Sequence, residues 1–358
     1  MTAPRLEIHL DLIGHNGRTL VDRLAPLGIA VTAVTKATLG SPEVARALLA
    51  SGASAIGESR IENIEALRRA DITAPMTLIR SPMLSQAARV VAHADVSLNT
   101  EPVVIEALSR ACEDQGRAHG VVLMVELGDL REGILPDDVE AVARLVLERS
   151  GLELRGIGTN LACQNGIAPD DAKMAELSAV ATSLEATLDV ELAIVSGGNS
   201  ANLGWALPDG RAKRVGRIND LRLGESLLLG RDPLDRVAIA GLHTDCFTLV
   251  AEVIESKVKP TVPWGEVHQG AFGPVTVRDP GDSVEGHRAI LALGRQDVDP
   301  AGLHPPDGVE ILGMSSDHLV VATDACVPVG REMSFGIDGY GALLAAMTSP
   351  YVSRHFQP

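Results

Sequence analysis

Between residues 29 and 223 one pattern recurs: a short apolar run, then a longer stretch with helical spacing. The runs cover 29–34, 55–57, 76–79, 96–98, 121–126, 154–158, 192–196 and 218–223. Among the intervening segments, 42–50 is amphipathic, and Val104, Leu108 and Ala111 mark another helix by their spacing. Eight strand candidates, mostly followed by helices, predict an α/β fold built on a (β/α)₈ TIM-like barrel over residues 1–235. A doubly wound sheet is the alternative arrangement of the same units.

After Asp235 the helical periodicity fades. Runs at 247–254, 288–293, 309–312 and 319–323 have the composition of strands. Pro and Gly punctuate them at Lys259-Pro260, Pro263-Trp264-Gly265, Asp279-Pro280-Gly281 and Pro305-Pro306-Asp307-Gly308. A second, mainly β C-terminal domain over 236–358 is expected. Hydrophobic residues make up 46% of the chain, enough for a sizeable core, but aromatic residues only 2%. Ala, Val, Leu and Ile must therefore fill that core. Any role that needs a phenol falls to Tyr340 or Tyr351.

The net charge of -16 argues against a nucleic-acid partner, whose phosphates reward basic patches. It fits solubility, or attraction of a cationic substrate. Residues 1–16 lack the basic and apolar regions of a signal peptide, and no apolar segment approaches the ~18 residues of a membrane span. Cys112, Cys163, Cys246 and Cys326 lie far apart without a CxxC pair. A cytoplasmic, reducing location is expected, with no membrane association and no cysteine-built metal site.

Barrel enzymes carry their chemistry at the C-terminal ends of the strands. The first run ends in Lys36. A lysine directly after an apolar run can be held partly desolvated, which lowers its pKa and lets it form a Schiff base; alone, a strand-end lysine more often reaches to solvent, and the functional reading needs support from the other strand ends. The fifth leads into Glu126-Leu127-Gly128-Asp129-Leu130-Arg131-Glu132-Gly133, either a solvated turn or an arginine aimed at an anionic oxygen. The sixth ends at Thr159-Asn160, where the asparagine could bond a ring or its own turn. The seventh ends Ser196-Gly197-Gly198-Asn199-Ser200, where glycines and a helix start suit a phosphate as well as a plain turn. The eighth carries Arg222, Gly224 and Glu225, then Gly230-Arg231; an arginine in a barrel mouth needs a partner.

In their order along the chain these stretches resemble the alanine-racemase-like group of pyridoxal-phosphate enzymes, and within it the ornithine racemase branch. The resemblance rests on Ala33-Val34-Thr35-Lys36, Ser59-Arg60-Ile61-Glu62-Asn63, Leu127 to Gly133, Ile157-Gly158-Thr159-Asn160, Ser196 to Ser200 and Leu221-Arg222-Leu223-Gly224-Glu225. It continues through Gly294-Arg295-Gln296-Asp297-Val298-Asp299, Ser315-Ser316-Asp317-His318-Leu319 and Tyr340-Gly341-Ala342-Leu343-Leu344. It implies pyridoxal 5′-phosphate bound through Lys36, which also serves as one catalytic base in racemising an amino acid. Arg131 would meet the phenolic oxygen, and Arg222 the pyridine nitrogen. Gly198, Asn199, Ser200 and Gly224 would hold the phosphate with Tyr340, and Asn160 would lie by the ring. A homodimer with shared active sites is implied too.

One departure concerns the second base. Alanine racemases carry a catalytic tyrosine where this chain has Val267-His268-Gln269-Gly270-Ala271. His318 is then the first candidate, with His268 and Asp297 behind it. Asp129, Asp297 and Asp317, with Glu132, are the acids that could meet the side-chain ammonium of ornithine or lysine. Competing readings are a decarboxylase, a D-amino-acid lyase or aldolase, and a non-catalytic pyridoxal-phosphate carrier. The decarboxylase requires a carboxylate in the place assigned to Arg222, and the carrier is a single barrel.

Overall fold

The computed structural model describes residues 2–208, 215–273 and 283–358; the turn at Asp279-Pro280-Gly281 lies outside them. The chain divides into two compact units, Leu10–Thr244 and a second that joins Met1–His9 to Asp245–Pro358.

Strand β1 (Arg5–His9) explains why the first residues join the last. Its alternation buries Leu6 and Ile8 completely, and it pairs antiparallel with the strand that begins at Phe247 and parallel with the one that begins at Ser353. The expected boundary at 235/236 is corrected at its other side as well. Residues 236–244 stay with the first unit because the helix at 10–24 grips their backbone. Arg23 donates to Ala240 O at 2.7 Å, and Asn16 both donates to His243 O at 2.9 Å and accepts from His243 N at 2.7 Å.

The first unit is the expected barrel. Its strands are β2 (Ala30–Val34), β3 (Ala55–Glu58), β4 (Met76–Leu78), β5 (Val96–Asn99), β6 (His119–Met124), β7 (Leu152–Gly158), β8 (Ile194–Asn199) and β9 (Asp220–Leu223). All are parallel, and β9 closes on β2 in the register Ala30 to Asp220 through Ala33 to Leu223. The helices are α1 (Leu10–Leu24), α2 (Pro42–Ala50), α3 (Ile61–Arg69), α4 (Ala87–His93), α5 (Pro102–Gln115), α6 (Val139–Glu148), α7 (Asp171–Leu188), α8 (Leu203–Ala206) and α9 (Glu225–Leu229). Helix α1 precedes the first barrel strand and packs beside both α2 and α9, so it closes the helical ring. Local chemistry sets the ends: Ser41 caps α2 ahead of Pro42, Asp170 accepts Lys173 N at 2.8 Å to start α7, and Gly116 ends α5 at φ 61°.

Leu98, Val122 and Met124 pack with Ile79, Val96 and Ile194 in one apolar cluster. Beside it His119, 1% exposed, donates from Nδ1 to Ala94 O at 3.2 Å and accepts the Ser97 hydroxyl at Nε2 at 2.8 Å. That assignment makes the ring neutral, and burial pushes its pKa down to about 4.

In the second unit, β10 (Phe247–Pro260) pairs with β1, with β11 (Glu285–Leu291) and with β15 (Glu332–Ile337). Strands β12 (Leu303–His304), β13 (Val309–Met314), β14 (Leu319–Thr323) and β16 (Ser353–Gln357) complete an eight-stranded, mostly antiparallel sheet. Helix α10 (Tyr340–Thr348) buries Ala342, Leu343, Ala346 and Met347. The unit is mainly β, as expected.

Candidate active site

Lys36 follows β2 and opens a single 3₁₀ turn, Lys36–Thr38, which leaves its side chain half-buried. Burial pulls its pKa below the usual lysine value; the cations Arg131 and Arg222 act the same way, against Cys163 and Glu58. Glu58, at the end of β3, is fully buried. It accepts Thr35 Oγ1 at 2.6 Å, Asn63 Nδ2 at 2.9 Å and Ser59 N at 3.2 Å. Burial outweighs these bonds and the charge of Lys36, and pushes its pKa up to about 7.

The ends of β8 and β9 form a cradle. Ser200 Oγ accepts from Gly224 N and Ser226 N at 3.2 Å each and meets Ser226 Oγ at 3.0 Å. Gly198 sits at φ 141°, where a Cβ would lie 2.1 Å from Asn202 Oδ1; one at Gly224 would lie 3.2 Å from Val34 Cβ. Both sites are glycine for space, and Gly198 also for its backbone angle. Two helical turns begin here, at Ser200 and at Glu225. This donor set fits a phosphate group. Asn199 caps its turn by accepting Ala201 N at 2.8 Å, and its amide donates to Asn160 Oδ1 at 3.2 Å. Asn160 Nδ2 is buried without an acceptor among the described residues, which leaves a donor for a bound ring.

Arg222 is 5% exposed between β7, β8 and β2. It donates to Thr159 O at 2.7 Å and to Ser196 Oγ. Ser196 in turn donates to Asp220, which also accepts Thr32 Oγ1 at 2.6 Å. The buried arginine thus has its partner in Asp220, through a serine. Burial lowers its pKa and Asp220 opposes the shift. Glu225 is ion-paired to Arg236.

The loop after β6 holds Arg131 against Glu132 and, at 2.7 Å, against Cys163 Sγ. Asp129, 1% exposed, works differently from expectation. Its carboxylate accepts backbone N–H groups from Cys163, Gln164, Asn165 and Ile167 at 2.9–3.5 Å. Burial raises its pKa, but these bonds together hold it below the usual aspartate value. It anchors the loop after β7, and its role as the substrate's acid is withdrawn.

Asp297 and Asp317 belong to the second unit, as do His318 and Tyr340. Asp297 is buried, accepting Gly294 N and Ser349 Oγ, both at 3.0 Å, so it too is occupied structurally. Asp317 is exposed and pairs with His318 Nδ1 at 2.8 Å in the turn between β13 and β14. Backbone bonds from Arg295 N and Gln296 N bring segment 294–297 against that turn at 2.9 and 3.0 Å. Tyr340 opens α10. His268 is exposed beside Glu266. Sequence reasoning missed Glu58, Cys163 and Asp220. Glu58 carried a signal, an acid at the end of an apolar run beside the lysine strand.

A family model described as alanine racemase, N-terminal domain, matches residues 8–231. A lysine racemase from Thermotoga maritima is 39% identical over 100% of this chain and 99% of its own length. An ornithine racemase from Acetoanaerobium sticklandii is 35% identical over 98% and 99%. Among solved structures, alanine racemase from Streptomyces lavendulae superposes with a TM-score of 0.76 at 20% identity, covering 100% of this chain and 98% of that one. D-threonine aldolase from Filomicrobium marinum gives 0.71 at 17%, covering 97% and 89%. These two likenesses establish the fold alone. The chain belongs to the alanine racemase N-terminal domain family, on the side of its lysine and ornithine racemases.

Proposed function

We propose that this protein is a pyridoxal 5′-phosphate-dependent amino-acid racemase acting on ornithine or lysine. The observation that carries the reading is the half-buried Lys36 under the influence of two arginines, with a glycine-lined phosphate cradle on neighbouring strands of the same barrel. Bound pyridoxal 5′-phosphate would supply an electron sink that acidifies the Cα–H of an attached amino acid. The chain's own residues do the rest. Lys36 binds the cofactor and, when free, takes or returns the α-proton at Nζ. Ser200, Gly198, Asn199 and Gly224 hold the phosphate, Asn160 supports the ring, and Arg131 supplies a cation for the phenolic oxygen. Arg222 disfavours protonation of the pyridine nitrogen by charge repulsion, which favours return of the proton to carbon over decarboxylation chemistry. Tyr340 is proposed as a further phosphate contact and His318 as the acid–base group for the opposite face, in a homodimer of cytoplasmic location. Asp317 is the acid proposed for the substrate's distal ammonium. The full-length lysine and ornithine racemase relatives support this substrate class, and no described helix is long and apolar enough to cross a membrane.

Purified protein given the cofactor should turn yellow, fix it on borohydride treatment and carry the added mass on Lys36. Each L-amino acid of a panel is then incubated and resolved by chiral chromatography. A Lys36→Ala protein that still fixes the cofactor would overturn the lysine's role; alanine or serine as the best substrate would overturn the substrate assignment.

A further inference from the structure

Thr32 on β2, Ser196 on β8, and Asp220 and Arg222 on β9 are all buried, on adjacent strands of the closed barrel. Their hydrogen bonds can run in one direction only. A carboxylate offers acceptors alone, and a guanidinium donors alone. Ser196 has one proton, which goes to Asp220 Oδ2, and its oxygen then accepts from Arg222 Nη1. Asp220 spends its other oxygen on Thr32 Oγ1 at 2.6 Å, and Arg222 spends Nη2 on Thr159 O at 2.7 Å. A serine thus stands between the carboxylate and the guanidinium. A direct pair would take two guanidinium donors and set an anion against the cation. Apolar residues in these places would be cheaper to bury. What the arrangement adds is a guanidinium gripped from both β7 and β8, with its charge not covered by a touching carboxylate.

We infer that Asp220, acting through Ser196, is the positioning residue that holds Arg222 where its cation faces the pyridine nitrogen of the bound cofactor. This deepens the proposed function and rests on its placement of Arg222. Thr159 O and Ser196 Oγ fix the guanidinium at two of its nitrogens. The Asp220 carboxylate fixes the direction of the serine proton, and so keeps the serine an acceptor towards Arg222.

The test has two parts. In the full chain without cofactor, NMR of isotope-labelled arginine side chains follows exchange of the Arg222 Nη protons with water. Ser196→Ala should speed it about tenfold, the loss of one hydrogen bond to a charged group. Asp220→Asn, which keeps the shape and removes the charge, should act in the same direction. Thr32→Val should act far less, because Ser196 still joins Asp220 to Arg222. In the holoenzyme, NMR of ring-labelled cofactor reads the protonated fraction of the pyridine nitrogen at neutral pH, which Ser196→Ala should raise by up to about tenfold. Circular dichroism reports folding. Unchanged exchange in a folded Ser196→Ala protein overturns the inference; if that variant does not fold, unchanged exchange in Asp220→Asn does so. An equal effect of Thr32→Val, the mark of general loosening, overturns it too, as does a ring nitrogen indifferent to Ser196→Ala. A ring nitrogen already protonated in the wild type overturns instead the placement of Arg222 against the cofactor, while the hold by Asp220 is judged by the exchange data, which need no cofactor.

Discussion

Two buried titratable groups in the barrel pull its acid stability in opposite directions. Glu58 has its folded pKa raised to about 7 from 4.5. The folded state therefore holds a proton that the unfolded chain has lost, and stability is gained as pH falls through 7 towards 4.5. His119 has its folded pKa lowered to about 4 from 6.5. The unfolded chain takes up the proton first, so stability is lost as pH falls through 6.5. Between pH 7.5 and 4.5 the Glu58 shift contributes a gain and the His119 shift a loss, each on the order of 3 kcal/mol at 1.36 kcal/mol per unit. In the wild type the two nearly cancel. Single substitutions separate them. Relative to wild type, Glu58→Gln should lose about 3 kcal/mol on that acidification, and His119→Gln should gain about as much. Urea unfolding of the cofactor-free protein at both pH values measures each difference. Difference curves flat across this range would refute the argument that burial sets these two ionisations.

Ser200→Ala removes the hydroxyl that collects Gly224 N and Ser226 N; cofactor affinity, read by absorbance titration, should weaken about tenfold. Asp129→Ala strips the acceptor from four loop N–H groups, so amide exchange at 163–167 should speed up about a hundredfold, while the ratio of ornithine to alanine turnover stays near that of wild type. Mixed dimers of Lys36→Ala and His318→Ala chains should regain up to about a quarter of the sites by random pairing. No recovery despite demonstrated subunit exchange would count against sharing.

The barrel was legible because each of its strands is a short apolar run set apart by amphipathic helices. The position of Lys36, the Gly198–Ser200 turn and Arg222 at or near strand ends was legible for a related reason: a strand end fixes where a side chain emerges. Strand β1 was not, because Arg5–His9 gains meaning only beside Phe247 and Phe356. Helix α10 was hidden because its residues are almost all apolar and show no polar face. Asp129 misled for a physical reason. An aspartate between glycines reads as available, yet its partners are backbone groups more than thirty residues on, and backbone N–H groups leave no trace in composition. Glu58 follows a run of only three apolar residues, and its tie to Thr35 comes from the register of β3 with β2, which the linear sequence does not display.

Strand β1 has a consequence for how the molecule is made. Leu6 and Ile8 leave the ribosome before the barrel does, but the neighbours that bury them arrive only with β10 and β16. At about 5–20 residues per second, synthesis to Val250 leaves this strand waiting roughly 10–50 s while the whole barrel emerges. Arg5 and Glu7 alternate with the apolar pair and bond each other at 2.8 Å, and charges on a waiting edge discourage wrong pairing. Strand β1 is made before the barrel and placed after it. A lesion within residues 5–9 should therefore leave the barrel to fold and strike the far end of the chain.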